Sequence, residues 1–464
     1  MDSCLNTLID AGDAEPSCRR SLWKVIWSCL VTLFACAWLA VHPNVAQDRE
    51  TPWVVVWRRA GLMFSMIIVP EMVVCWALRQ FVLASYIATK HKGEDHLLGI
   101  ITFLILFGTG DGWTRTHGFF VIMGGFCYYS DKTGARETLT YARMLNLKKQ
   151  DKIEWPNGSI VTSKVIEDRS KADWLAKSIV LIQTFWFCIQ LFTRLGQHLV
   201  VTELEISTLA FAALNFIVYL LWWNKPFDVR SQILVRGTND PERFDPQAPA
   251  TPYSLQEYSA WSYLSDKWNR FKQTCITANE NNIGAVAFIP AIFYGLFIAP
   301  FSTLFVEYGV SPGPSALISR KRAYQEEPFD NIGHGWFMRQ LFNSSAQWVL
   351  VSGVAIIFGG IHLIAWPFHF PSGAEKWLWR GSAIALVCPA ISLVIYLAVE
   401  GGKIPLPHRV HSILLGLLVV LMFLMAIAYV CARFIILCLP FIELRKLAAG
   451  ALTETNWAAL IPHF

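Results

Sequence analysis

The sequence is poor in charge. Of its 464 residues only 16% are Asp, Glu, Lys or Arg, against 54% hydrophobic, where a soluble protein carries about 25% charged residues. Such a chain needs a non-aqueous solvent for its excess apolar area. It also lacks the short motifs of nucleotide, metal and serine-hydrolase chemistry. There is no Walker loop, no GxGxxG between a strand and a helix, no aspartate-rich DDxxD pair, no HExxH, no His-box set and no GxSxG. The 11 Cys have no CxxC spacing and lie mostly in apolar runs, as Cys29, Cys36, Cys75, Cys188 and Cys388 do, so they read as small buried hydrophobes. The net charge of +5 is dispersed through loops, which speaks against a nucleic-acid partner. No repeat is visible, and the two halves share no matching pair of broken hydrophobic segments, which weighs against a secondary transporter.

What is present is a series of apolar runs. Crossing a bilayer takes about 20 mostly apolar residues, because every lipid-facing backbone group must be paired within its own helix. Eight windows qualify: 22–41, 60–78, 175–193, 203–223, 284–306, 347–366, 380–399 and 410–432. The first is too long and too rich in Trp for a signal peptide and reads as a retained span. Residues 97–129 hold two shorter apolar stretches around Asp111 and His117, the pattern of a re-entrant hairpin or of two half-spans. The fold class is therefore all-α, a polytopic transmembrane bundle of about eight spans plus that hairpin, in a single domain over 1–464. Lys and Arg crowd 130–174 and recur in 224–282, which the positive-inside rule places in the cytosol, together with both termini. Arg320, Lys321 and Arg322 then fall in a lumenal loop, a conflict with the same rule.

Ionisable groups at membrane depth are costly and mark candidate sites. Glu71 follows Pro70 within the second window and is the first candidate for a neutral carboxylic acid, or else a partner for carbonyls freed by a proline kink. Glu203 and Glu205 open the 203–223 window on different helix faces, either as acids or as charges on a helix start capped by Thr202. Asp111, Trp113 and His117 lie together in the polar break, as a site or a plain loop. Asn215 sits deep in an apolar run. Trp222 and Trp223 form either an interface belt or a rim that stabilises a cation, with Lys225 and Asp228 as a solvated pair. His362 is a proton donor or an interhelical hydrogen-bond partner, and Arg433 can snorkel from the last span to headgroups.

Several stretches resemble a large group of fungal multi-span proteins: Trp113-Thr-Arg-Thr-His-Gly-Phe-Phe-Val-Ile-Met-Gly-Gly125, Glu167-Asp-Arg-Ser-Lys-Ala-Asp173, Thr202-Glu-Leu-Glu-Ile-Ser-Thr-Leu-Ala-Phe211, Leu221-Trp-Trp-Asn-Lys-Pro226, Phe441-Ile-Glu-Leu-Arg445 and Thr455-Asn-Trp-Ala-Ala-Leu-Ile-Pro-His463. Within that group are the membrane-bound terpene cyclases of meroterpenoid pathways, of the macrophorin and ascofuranone type. The resemblance implies an isomerase-type enzyme of secondary metabolism in the endoplasmic reticulum. Its substrate would be a lipophilic, farnesylated small molecule met within membrane lipid, cyclised by protonation of a terminal olefin or epoxide, with no cofactor, no metal and no diphosphate released. No residue role comes with it. Olefin protonation needs a neutral acid, aromatic faces for the cation and exclusion of water. The residues themselves offer Glu71, Asp111, Glu203 and Glu205 as acids, His117 as a proton relay, and Trp113, Trp186, Trp222 and Trp223 as cation-facing aromatics, with Asn215 and His362 as further contacts. The rival reading is a transporter or scaffold for lipophilic metabolites.

Overall fold

The computed structural model describes residues 19–45, 52–92, 113–129, 136–139, 141–150, 153–154, 161–170, 173–229, 231–237, 344–400, 407–448 and 450–455. In chain order these form α1 (Leu22–Phe34, running on as a π turn over Ala35–Leu39), α2 (Pro52–Ile68), α3 (Pro70–Lys92), α4 (Arg115–Ile122), β1 (Phe126–Tyr129), β2 (Arg136–Thr138), α5 (Tyr141–Lys149), β3 (Ile153–Glu154), α6 (Ser163–Glu167), α7 (Asp173–Gly196), α8 (Glu203–Leu221), β4 (Ile233–Gly237), α9 (Ser344–Leu363), α10 (Gly373–Glu400) and α11 (His408–Glu443). Among the described residues, six helical stretches are long and apolar enough to cross a membrane: Leu22–Leu39, Pro70–Ala88, Lys177–Gly196, Glu203–Leu221, Gly373–Val399 and Val420–Lys446; Val349–Leu363 is a shorter apolar helix. The chain is thus an all-α polytopic protein. The window 284–306, the stretch Leu97–Phe107, Asp111, the loop beyond Gly237 and Arg320–Arg322 lie outside the described residues.

The contacts fall into two compact units, the first formed by Met1–Ala40, Ala176–Ile217 and Val349–Phe464, the second by Val41–Leu175 and Val218–Trp348. In the first unit the helices expose large apolar side chains, with Trp27 at 58%, Ile182 and Phe185 at 69% and Leu417 at 63%. Surfaces this apolar are lipid-facing in a chain with so little charge. The inward faces close on Cys29, Phe187, Leu204, Trp379 and Leu439. Helix starts are set locally. Thr202 Oγ1 accepts from Glu205 N at 3.3 Å while Thr202 N donates to Glu205 Oε2 at 2.9 Å, a reciprocal capping box. At the start of α10 Ser372 Oγ accepts from Glu375 N at 3.2 Å and donates its hydroxyl to Glu375 Oε2 at 2.9 Å.

The second unit departs from the expectation in three places. The 60–78 window is not one helix bent by Pro70. Pro70 starts α3, where its missing N–H costs nothing, and Glu71 falls in the first turn, where a carboxylate complements the dipole. Gly118–Tyr129 is not a half-span, because α4 is eight residues long and is followed by β1. The third departure is a four-stranded sheet of order β2-β1-β4-β3, in which β1 pairs parallel with β4 and antiparallel with β2, and β3 antiparallel with β4. Ladder bonds between Phe126–Tyr129 and Ile233–Arg236 hold the loops 130–174 and 224–282 together at their described ends.

α4 lies against α3 so closely that a methyl on Gly118 would meet the Ala84 backbone carbonyl. Gly118→Ala is therefore expected to destabilise the protein by about 1–3 kcal/mol, seen as a lower melting temperature in detergent, whereas Gly353→Ala inside α9, which meets nothing within 4 Å, does not lower it, since Ala favours the helix.

Candidate functional site

A cavity of about 480 Å³ opens in the first unit, a size that suits a small-molecule ligand. Its walls come from the first turns of α1, the second half of α7, the start of α8 and the chain after α11. Trp27 and Trp186 supply indoles, Gln183 and Gln190 amides, and Arg20, Lys24, Arg194, Glu205 and Glu454 the charges. Arg20 binds Glu205 through both guanidinium nitrogens, at 2.6 and 3.1 Å, and donates Nε to the Ala451 carbonyl. Arg194 donates to the carbonyls of Thr453, Val200 and Ala451 at 2.7, 2.6 and 3.1 Å. Lys24 reaches Glu454 at 3.3 Å.

The two acids of α8 part company as their spacing requires. Glu205 lines the cavity with both oxygens engaged, by Arg20 and by the Thr202 cap. A carboxylate so saturated anchors a helix start and has no proton to give. Glu203 is also buried but has no cation in contact among the described residues; on its side of the helix lies Glu443, which faces the charges of Glu375 and Glu203, while Arg445 binds Glu375. Asn215 is buried beside Cys36. His362 is fully buried; its Nδ1–H donates to the Phe358 carbonyl at 2.8 Å and its ring packs on Phe358 and Trp379, so it acts within its own helix and against an aromatic neighbour. Arg433 does not snorkel. It is 1% exposed, receives the Tyr429 hydroxyl as partner at 2.6 Å and lies 4.1 Å over the Phe358 ring, because that face offers π electrons and an acceptor together.

The other candidates belong to the second unit. Glu71 is 3% exposed at the start of α3. Trp113 is buried against His117 and Phe126. His117 has both ring nitrogens committed: Nδ1 accepts from Thr114 N at 3.0 Å, so the proton is on Nε2, which donates to the Val161 carbonyl at 2.7 Å. That leaves no free nitrogen for a proton relay. Trp222 does face a cation, but it is the protein's own. Lys225, far from being solvated, is fully buried with Nζ 4.3 Å from the Trp222 ring and 4.8 Å from the Trp76 ring, and donates to the His42 carbonyl and to Gln80 Oε1. Burial pushes its ammonium well below the usual lysine range. Asp228 pairs instead with Arg59 at 3.8 Å, and Trp223 is half exposed. The structure thus gathers Glu203, Glu205 and Trp186 near one end of the first unit and leaves Glu71, Trp113, His117 and Trp222 in the second. Arg20, Trp27, Gln190 and Arg194 were missed as cavity residues; the Trp spacing on α1 and an Arg closing an apolar run were the signals for them.

Burial lowers the affinity of His117 for a proton, partly offset by the bond to Val161. The unfolded chain then binds this proton first, and stability held above the ordinary histidine range near pH 6.5 is lost as the pH falls through it. Thermal melting of the purified protein is expected to drop between pH 7.5 and 5.5, and His117→Asn to shrink that drop while lowering the melting temperature at pH 7.5.

Residues 9–243 match the model of a family of unknown function (DUF8562). No curated protein and no solved structure matches the chain.

Proposed function

We propose that this chain, which belongs to the DUF8562 family of unknown function, is a membrane-bound cyclase that isomerises a prenylated lipophilic substrate by acid–base chemistry. The observation that carries the reading is the cavity with Trp27 and Trp186 in its wall, at the end of helices whose outer faces are apolar. A prenyl chain enters such a space from lipid, and the indole faces stabilise the tertiary cation that olefin or epoxide protonation creates. The added proton is lost again when the last alkene or ether forms, so substrate and product have equal mass. Glu205 is spoken for by Arg20. Glu203, buried in the same unit with no cation in contact among the described residues, is the donor this reading selects ahead of Glu71 at the start of α3. Because it stands on the face of α8 away from the cavity wall, the reading requires the reacting end of the substrate to pass the start of α8.

Production of the protein in a host that makes the farnesylated precursor is expected to yield a product of unchanged mass and new retention time. Glu203→Gln is expected to cut turnover at least ~100-fold and Trp186→Ala to cut it while leaving the melting temperature in place, since that indole is half exposed. Full activity in Glu203→Gln would transfer the role to Glu71, and no conversion by folded wild-type protein would end the cyclase reading.

The same bonds support a proposal about orientation, with both termini on the other side from that expected from the loops alone. α7 runs from Asp173 to Gly196, and Arg194 near its end is bonded to the Thr453 carbonyl, as Arg20 is to Glu205. A bilayer crossed by α7 therefore separates Asp173 from Arg20 and Thr453. With 130–174 in the cytosol by its Lys and Arg, this reading assigns Arg20 and Thr453 to the lumenal face of the endoplasmic reticulum rather than the cytosolic one. A single reporter cysteine at Glu454 is expected to react with an impermeant maleimide only after the membrane is opened, and one at Lys164 before.

A further inference from the structure

We propose that the cavity of the first unit binds an amphiphile with an oxyanion head, the head against Arg194 and the apolar chain along Trp27 and Trp186. The charges of the wall do not cancel. Arg20 pairs with Glu205 and Lys24 with Glu454, whereas Arg194 hydrogen-bonds only backbone carbonyls and shares the field of Glu205 with Arg20, so three cations of the wall face two acids and one positive charge is in surplus. Arg194 is 1% exposed, and its Nε is buried with no hydrogen-bond partner among the described residues. A guanidinium N–H left in that state is costly unless a ligand accepts from it. Gln190, half-buried in the same wall, likewise makes no hydrogen bond within the described residues, so its amide is available to a second head-group oxygen.

The rest of the wall fits a chain rather than a second polar group. Val25, Val31, Trp27 and Trp186 extend from the charged end along α1 and α7, and both indoles are about half exposed on the surface that faces lipid. Carboxylate and phosphate heads share the required chemistry, a compact oxyanion that accepts from a guanidinium. The head can belong to an anionic phospholipid of the bilayer or to a free single-chain amphiphile. This inference uses the cavity but not the reaction proposed for it, so a cyclase that failed to convert its precursor could still bind such a molecule.

Binding of radiolabelled oleate and of oleyl alcohol to the full-length protein in dodecyl maltoside separates the head group from the chain. Oleate is expected to bind at least about tenfold tighter. Arg194→Gln brings oleate down to the level of the alcohol and Arg194→Lys restores part of the difference. Because Arg194 also ties the chain after α11, Gln190→Glu serves as a variant that spares those bonds: its carboxylate repels oleate and leaves the alcohol unaffected. In nanodiscs of phosphatidylcholine with added phosphatidylglycerol, displacement of oleate identifies a bilayer phospholipid as the occupant, and retention of oleate identifies a free amphiphile. Equal binding of oleate and oleyl alcohol by the wild type, or an unchanged preference in Arg194→Gln and Gln190→Glu, overturns the proposal.

Discussion

Backbone carbonyls at the ends of membrane helices have no partner within the helix, and near the hydrocarbon they have little water to turn to. The first unit meets that constraint with guanidinium groups, each of which offers five N–H donors in a fixed plane. Arg194 and Arg20 between them collect carbonyls from Val200, Ala451 and Thr453, and Arg380 takes the Trp366 carbonyl through two nitrogens. These bonds fix where α1 begins, where α7 stops, where α8 starts and where the chain runs after α11. The cavity is the space that remains among those fixed ends, and its wall is polar at the arginines and apolar along the helices for that reason.

The second unit applies a related device to the segment after α8. The Lys225 ammonium is held by one backbone carbonyl, by the Gln80 amide oxygen and by two indole faces, and Gln80 also accepts from Trp222 Nε1 at 3.1 Å. A cation in such a box ties the segment after α8 to α3 and to the stretch after α1 without drawing on a surface charge. Trp222, which would face a substrate carbocation in one reading, already faces this cation, together with Trp76.

The apolar runs were legible because the bilayer imposes a length and a composition on each span: six of the windows hold helices, four of them at nearly the expected bounds, while α10 starts seven residues earlier and α11 ends eleven residues later than expected. The Thr202–Glu205 capping box was legible too, since its partners are three residues apart. What was hidden depends on residues far apart in the chain. Trp222 stands three residues from Lys225, but nothing local says that Trp76 and Gln80 complete a box around the ammonium, or that the Phe358 ring awaits Arg433, so both read as solvated or snorkelling cations. The sheet escaped notice because its strands are two to five residues long, too short for a period-two pattern to stand out, and because β4 follows two membrane helices. Glu71 was overvalued for a related reason: a proline inside an apolar run looks the same whether it bends one helix or starts another.

The parallel pairing of β1 with β4 has a consequence for the order of synthesis. β1 leaves the ribosome before α7 and α8, and its parallel partner only after both have been made and inserted. Throughout that interval Phe126–Tyr129 has β2 on one side and an open row of N–H and C=O groups on the other, the kind of edge on which nascent chains join wrongly. The translocation machinery therefore handles a half-built sheet for as long as two spans take to enter the membrane, and the sheet closes only when the loop after α8 returns to it.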